Sequence, residues 1–310
     1  MNKPENLNYL KQILTMYKIP LSIPSLKGNE LKYVKECIDT EWISSAGKYV
    51  DLFEQNIAEY SGSKYAIACV NGTAALQVSL RLAGVKSDDE VLVSTLTFIA
   101  TVNAIAYNNA YPIFMDADNY YNMDAEKTIE FIEKETFFKN GFTFNKITNK
   151  KISAILPVHV WGNACWLDEL VDLCKRRNIA VIEDACEGLG TFYNKGKYKG
   201  KHAGTIGKLG CLSFNGNKII TTGGGGMILT DDESLAQKAK YLTTQAKDDP
   251  IRYIHNKIGY NYRLTNIQAA LGVAQLEQLP EILQRKKEIY HFYQSELKDV
   301  DGLSISMSPR

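Results

Sequence analysis

Between Tyr65 and Asp184 the chain alternates short apolar runs with stretches of helical periodicity, and no other feature constrains its fold as tightly. Residues 65–70, 90–94, 112–116, 153–157 and 179–183 read as strands, and 73–83, 99–108, 124–136 and 166–177 as the helices between them. The strand runs lack the polar alternation of a sheet with one wet face, as strands covered on both sides do. The expected fold class is therefore α/β, a three-layer α/β/α domain around a mostly parallel sheet. Further strands are expected at 210–214 and 226–230, with a helix over 233–244.

The ends of the chain read differently. Leu31, Val34 and Ile38, then Val50, Phe53 and Ile57, fall at helical spacing and predict two amphipathic helices before the first strand. Residues 265–279 and 281–297 read as two helices broken at Pro280. Residues 137–151, polar and aromatic, read as an insertion loop, and 193–207 as a mobile hairpin.

The chemistry concentrates at the strand ends. Ser213 stands five residues before Lys218, at the end of one apolar run, and Gly223 to Gly226 follow. A lysine in a tight polar loop beside a phosphate-binding hydroxyl suits a carbonyl cofactor held covalently, although a lone lysine is more often solvated surface. Asp184 ends the 179–183 run, where ligands of open α/β sheets bind, and a carboxylate there can keep a pyridine nitrogen protonated. A helix N-cap is the plainer alternative for it. Asn71, Gly72 and Thr73 open a helix after the first strand, and its free amides suit a phosphate; Thr73 as a simple N-cap is the alternative.

Composition narrows the class of protein. A net charge of +1 leaves no electrostatic footprint for nucleic acid or an anionic membrane. The six cysteines show neither a CxxC pair nor metal-ligand spacing, so no metal is expected and the thiols read as reduced and buried. Residues 1–5 lack the layout of a signal peptide, and no apolar stretch reaches membrane-spanning length. A cytoplasmic enzyme is expected.

Several motifs in order carry a resemblance. Asn71 to Leu76, Thr97 to Asn103, Pro157 to Gly162, Glu183 to Ala185, Ser213 to Lys218 and Gly259 to Arg263 resemble the sugar aminotransferases of the DegT/DnrJ/EryC1/StrS type. These are fold-type I pyridoxal phosphate enzymes, and the resemblance runs over about residues 23–297. It implies that Lys218 binds the cofactor covalently and then shuttles a proton, that Asp184 faces the ring nitrogen, and that Ser213 with the Gly72 and Thr73 amides binds the phosphate. Phe98 stands where the family stacks an aromatic on the ring. Asn163 stands near the cofactor's phenolic oxygen, where relatives often carry glutamine. His159 is a candidate catalytic group, with a structural histidine as the alternative. Glu187 receives no role. Asn261 matches an asparagine that reaches the phosphate from a neighbouring subunit, which implies a homodimer with shared active sites.

The implied reaction moves an amino group from L-glutamate to the C4 keto group of a nucleotide-linked 4-keto-6-deoxy sugar. Asn215 to Gly226 are similar to the branch acting on UDP-4-keto-6-deoxy-N-acetylglucosamine. A C3 aminotransferase and a non-catalytic regulatory relative are the alternatives, while Lys218 argues against the family's dehydratases, which carry histidine there. Lys195, Lys197, Lys199, Lys201 and His202 form a cationic stretch that could meet the diphosphate, or be plain solvated loop. The resemblance divides the chain into a large cofactor-binding domain over 23–250 and, from 1–22 and 251–310, an N-terminal arm with the start of a small domain that is expected to be truncated.

Overall fold

A computed structural model describes residues 22–306. The arm expected before residue 22 and the last residue of the strand start expected over 303–307 lie outside them, and residues 303–306 form no strand. Among the described residues the strands are β1 (Tyr65–Cys69), β2 (Glu90–Ser94), β3 (Tyr111–Met115), β4 (Thr136–Lys139), β5 (Phe142–Asn145), β6 (Lys151–Leu156), β7 (Ala180–Asp184), β8 (Leu209–Ser213) and β9 (Gly226–Thr230). The helices are α1 (Glu30–Asp39), α2 (Lys48–Ser61), α3 (Gly72–Leu82), α4 (Ile99–Ala106), α5 (Ala125–Lys134), α6 (Asp168–Arg176), α7 (Glu233–Thr243), α8 (Asn266–Glu277) and α9 (Leu279–Leu297).

The main sheet runs β1-β9-β8-β7-β6-β2-β3, and within it only β9 is antiparallel to its neighbours. Each strand sends alternate residues into different apolar clusters. Ile67 and Cys69 of β1 join α3, α4 and α7 on one face, while Ala66 and Ala68 join α2 and α8 on the other. On β2, Val91 and Val93 face the first cluster and Leu92 a third one under α5 and α6. Burial on both faces is what makes these strands continuous apolar runs in the sequence. β2 and β9 fall where the sequence places them, and the other expected strands within one or two residues.

Three expectations are corrected. Residues 137–151 are not a loop. β4 and β5 form a hairpin across Asn140 (φ 50°) and Gly141 (φ 80°), and β5 pairs antiparallel with the start of β6. Asn-Gly is the pair that a tight hairpin turn of this hand prefers, and the stacked Phe137 and Phe144 rings sit 5.5 Å apart across it. On α1 the buried side chains are Glu30 and Cys37, whereas Leu31 is 80% exposed. Polar anchors turn the helix: Gln275 donates to Glu30 (2.6 Å), and Asn266 Nδ2 donates to Cys37 Sγ (3.3 Å). The base of the 193–207 segment is pinned, not free. Tyr193 is buried and donates its hydroxyl to the Cys165 carbonyl (2.8 Å), and His202 is buried against Phe192.

The break expected at Pro280 lies two residues earlier. α9 starts at Leu279 with the proline in its first turn, where the missing amide costs nothing. No helix among the described residues is long and apolar enough to cross a membrane.

Phe53 on α2 joins helix to sheet. It is fully buried, packs on Phe214 with centroids 4.9 Å apart, and lies so close to α8 that a Cβ on Gly272 would come within 2.7 Å of its ring. Phe53→Ala is expected to cost about 3–5 kcal/mol, read from equilibrium urea unfolding; a loss near zero would mean that α2 does not hold the sheet.

Candidate functional site

Strands β1, β2, β6, β7 and β8 end on the same side of the sheet, and the residues following them enclose a cavity of about 580 Å³. Gly72 and Thr73 follow β1, Phe98 follows β2, His159 follows β6, Asp184 and Ser213 end β7 and β8, and Lys218 sits in the turn after β8. All seven line the cavity. Sequence-distant residues meet there because parallel strands deliver their carboxyl ends together.

The frame of the site is Glu183, one residue before Asp184. Its carboxylate is fully buried and accepts from the amides of Gly204 (2.9 Å), Ile206 (2.6 Å) and Gly207 (2.6 Å), and pairs with His159 Nε2 (2.9 Å). Burial alone would raise this carboxyl, but the His159 ring and the Gly207 and Gly204 amides hold it below its usual value. The Cys165 amide donates to His159 Nδ1 (3.0 Å), so the ring proton sits on Nε2 and is given to Glu183. Both ring nitrogens are committed. His159 therefore offers the cavity a ring wall, not the free acid or base that a catalytic assignment needs.

Asp184 alternates to the cavity side. Its Oδ2 accepts from Thr101 (2.6 Å) and its Oδ1 from the Cys186 amide (3.2 Å), and Thr97 and Thr101 continue the line at 2.8 Å. The two bonds fix the orientation of a buried carboxylate. The alternative of a helix cap does not apply, since Asp184 ends a strand and its carboxylate caps no helix.

Opposite it, α3 opens with Asn71 as N-cap, whose side chain accepts from the Ala74 amide (2.8 Å); Thr73 is inside the helix. The Gly72 and Thr73 amides have no partner within the helix, as at any helix start. A Cβ on Gly72 would lie 2.8 Å from Cys186 Sγ and 2.9 Å from Ser213 Cβ, so only glycine lets this end come so close to β8. Lys218 is held by a turn in which its amide donates to the Asn215 carbonyl (3.0 Å), and its Nζ lies 2.9 Å from Glu187 Oε1. Phe98, 79% exposed, is a rim residue and not core.

Two expected site residues are not brought to the cavity by this chain. Asn163 lies outside the lining, its carbonyl accepting from Asn122 Nδ2 (3.3 Å). Asn261 is exposed in a bridge to Thr244. The cationic stretch also stays away from the lining, and Lys197 pairs with Asp172 on α6 (2.6 Å). Residues that sequence reasoning left out are Glu183, Thr101 and Glu187. Thr97 and Thr101 at helical spacing were the one available signal; the others are defined only by the fold.

Residues 24–310 match the model of the DegT/DnrJ/EryC1/StrS aminotransferase family. The chain is 44% identical to a GDP-perosamine synthase of Escherichia coli O157:H7, over 92% of this chain and 73% of that one. It is 42% identical to EpsN of Bacillus subtilis, described as a putative pyridoxal phosphate-dependent aminotransferase, over 92% and 70%. Among solved structures, PseC of Helicobacter pylori, an aminotransferase of pseudoaminic acid biosynthesis, superposes with a TM-score of 0.79 at 28% identity, covering 91% of this chain and 71% of that one.

The lowered Glu183 carboxyl has a pH signature. The folded group keeps its charge to lower pH than the unfolded one, so its contribution is complete above the ordinary value of 4.5 and is lost as pH falls through the lower folded value. Glu183→Gln is expected to cost about 3 kcal/mol at neutral pH, a difference from wild type that shrinks on acidification. A difference independent of pH, read from urea midpoints, would mean that the buried group is not ionised.

Proposed function

Since the chain belongs to the DegT/DnrJ/EryC1/StrS aminotransferase family, and is thereby a pyridoxal phosphate-dependent sugar aminotransferase, we propose that it aminates C4 of a GDP-linked 4-keto-6-deoxy sugar with L-glutamate as donor, as a cytoplasmic homodimer. The nucleotide is argued from relatives: three named GDP-perosamine synthase are 44%, 42% and 40% identical to this chain. The UDP-linked acceptor suggested by the Asn215 to Gly226 motif is the competing substrate.

The observation that carries the reading is one cavity holding the Lys218 amine, the Asp184 carboxylate, the Ser213 hydroxyl and the free amides of Gly72 and Thr73. These residues fit pyridoxal phosphate. A phosphate would find a helix start stripped of side-chain bulk by Gly72, a pyridine nitrogen a carboxylate already oriented by two hydrogen bonds, and a carbonyl a primary amine. When bound, the cofactor supplies an electron sink that lets a proton leave carbon.

The chain's own residues do the rest. Asp184 holds a proton at the ring nitrogen, and Thr101 keeps that carboxylate oriented. Lys218 Nζ would hold the cofactor covalently and serve as the proton carrier once released. Ser213 and the α3 amides would hold the phosphate, and Phe98 and His159 would supply ring walls to the cavity. Asn261 would act from the partner subunit, and Asn163, outside the lining, receives no role. The cationic stretch around Lys197 is assigned no contact with the diphosphate.

Borohydride is expected to fix the cofactor on the peptide holding Lys218, and Lys218→Arg to abolish turnover; fixation on another lysine would overturn the assignment. In a panel of nucleotide keto-sugars with glutamate, the GDP-linked acceptor should exceed the UDP-linked one by at least about tenfold in kcat/KM, roughly 1.4 kcal/mol. The reverse order would restore the UDP-linked substrate.

A further inference from the structure

Glu187 had no role from sequence, yet both of its carboxylate oxygens are in use at the cavity wall. Oε1 lies 2.9 Å from Lys218 Nζ, with the two side chains 18% and 39% exposed in the order Lys218, Glu187. Oε2 accepts from the Trp161 amide at 2.9 Å. The two arms reach different elements, the turn after β8 and the 3₁₀ turn after β6.

Trp161 is an unusual residue to find in that turn. Its backbone is left-handed (φ 54°, ψ 24°), a conformation that bulky side chains rarely adopt. Gly162 follows at φ 81°, and a Cβ there would come within 2.9 Å of the Glu187 carbonyl. The Thr191 hydroxyl closes the turn on the Gly162 carbonyl (2.7 Å). The indole, 67% exposed, stands at the cavity rim with Tyr121 edge-on at 5.0 Å, and Tyr121 is itself left-handed at φ 69°. Strained backbone persists where its surroundings over-determine it, and it concentrates at functional sites.

We propose that Glu187 is a two-armed positioning residue, one oxygen holding the Lys218 amine over the cavity and the other fixing the Trp161 turn so that its indole forms the rim past which the acceptor sugar docks. The proposal rests on Lys218 being the cofactor's lysine and on a sugar acceptor. An ordinary surface ion pair would need only one of the two arms. Here a single carboxylate ties the reacting amine to the rim, so cofactor handling and acceptor binding share one anchor.

Two substitutions separate the arms. Glu187→Gln keeps an oxygen for the Trp161 amide and loses the charge that holds Lys218; Glu187→Ala loses both. In the cofactor-free protein, amine-directed labelling of Lys218, followed by peptide mass relative to the other lysines, should change by at least about threefold in both variants. Indole emission assigned by difference from Trp161→Phe should shift in Glu187→Ala only. In the loaded enzyme, Glu187→Gln should lower kcat with the sugar KM within about twofold, while Glu187→Ala should also raise that KM by at least about fivefold.

Unchanged Lys218 labelling in both variants would overturn the lysine arm. Identical indole emission and sugar KM in the two variants would overturn the rim arm. Glu187→Gln, matched in shape, keeps the lysine arm testable if the alanine variant does not fold. The labelling and emission experiments need no cofactor or sugar, so they fail independently of the borohydride and substrate-panel results.

Discussion

A single buried carboxylate, Glu183, holds the working end of the sheet together. It receives three amides from the turn before β8 and the ring proton of His159 after β6. Ionised carboxylates are expensive to bury unless all their lone pairs are used, and here they are. The bonds tie the ends of β6 and β7 to the turn that starts β8. Strand alternation then sends Asp184 to the other side, into the cavity, with its orientation completed by Thr101 and the Cys186 amide. The adjacent pair Glu183 and Asp184 thus divides into a carboxylate bonded within the framework and one facing the cavity, by the two-residue period of a strand.

The other walls follow from close approach. Gly72 lets the start of α3 press against Ser213 and Cys186, which brings unpaired amides to the same side as the Lys218 turn. The cavity therefore holds a carboxylate at Asp184, helix-start amides at α3 and the Lys218 amine. Such a set of groups suits a ligand that is at once a cationic ring and a phosphate, which is the cofactor of the family to which the chain belongs. His159 contributes shape, because both its nitrogens face inward.

Much of this was legible in the sequence, for identifiable reasons. β2 and β9 were readable to the residue because strands buried on both faces leave unbroken apolar runs. The cavity residues Gly72, Phe98, Asp184, Ser213 and Lys218 were readable because each ends or follows such a run. The β4–β5 hairpin was passed over although Asn140-Gly141 between alternating aromatics announces it. α1 was read with the wrong face because apolar spacing does not register the polar bonds from Gln275 and Asn266 that turn Glu30 and Cys37 inward. Asn71, not Thr73, caps α3, and both residue types suit that position in a sequence. Glu187 could not be found from pattern alone, and Thr101 carried no more signal than its helical spacing from Thr97. Their roles depend on contacts 31 and 83 residues away in sequence, which only the folded sheet creates.

The central claim is that the Asp184 carboxylate holds a protonated pyridine nitrogen inside the strand-end cavity. It is tested most directly by nitrogen-15 NMR of the protein loaded with pyridoxal phosphate labelled at the ring nitrogen. The wild type should show a protonated ring nitrogen across the neutral range, and Asp184→Asn an unprotonated one, with the cofactor still bound in both. A ring nitrogen in the same state in both proteins would contradict the assignment of Asp184 and with it the orientation of the whole site.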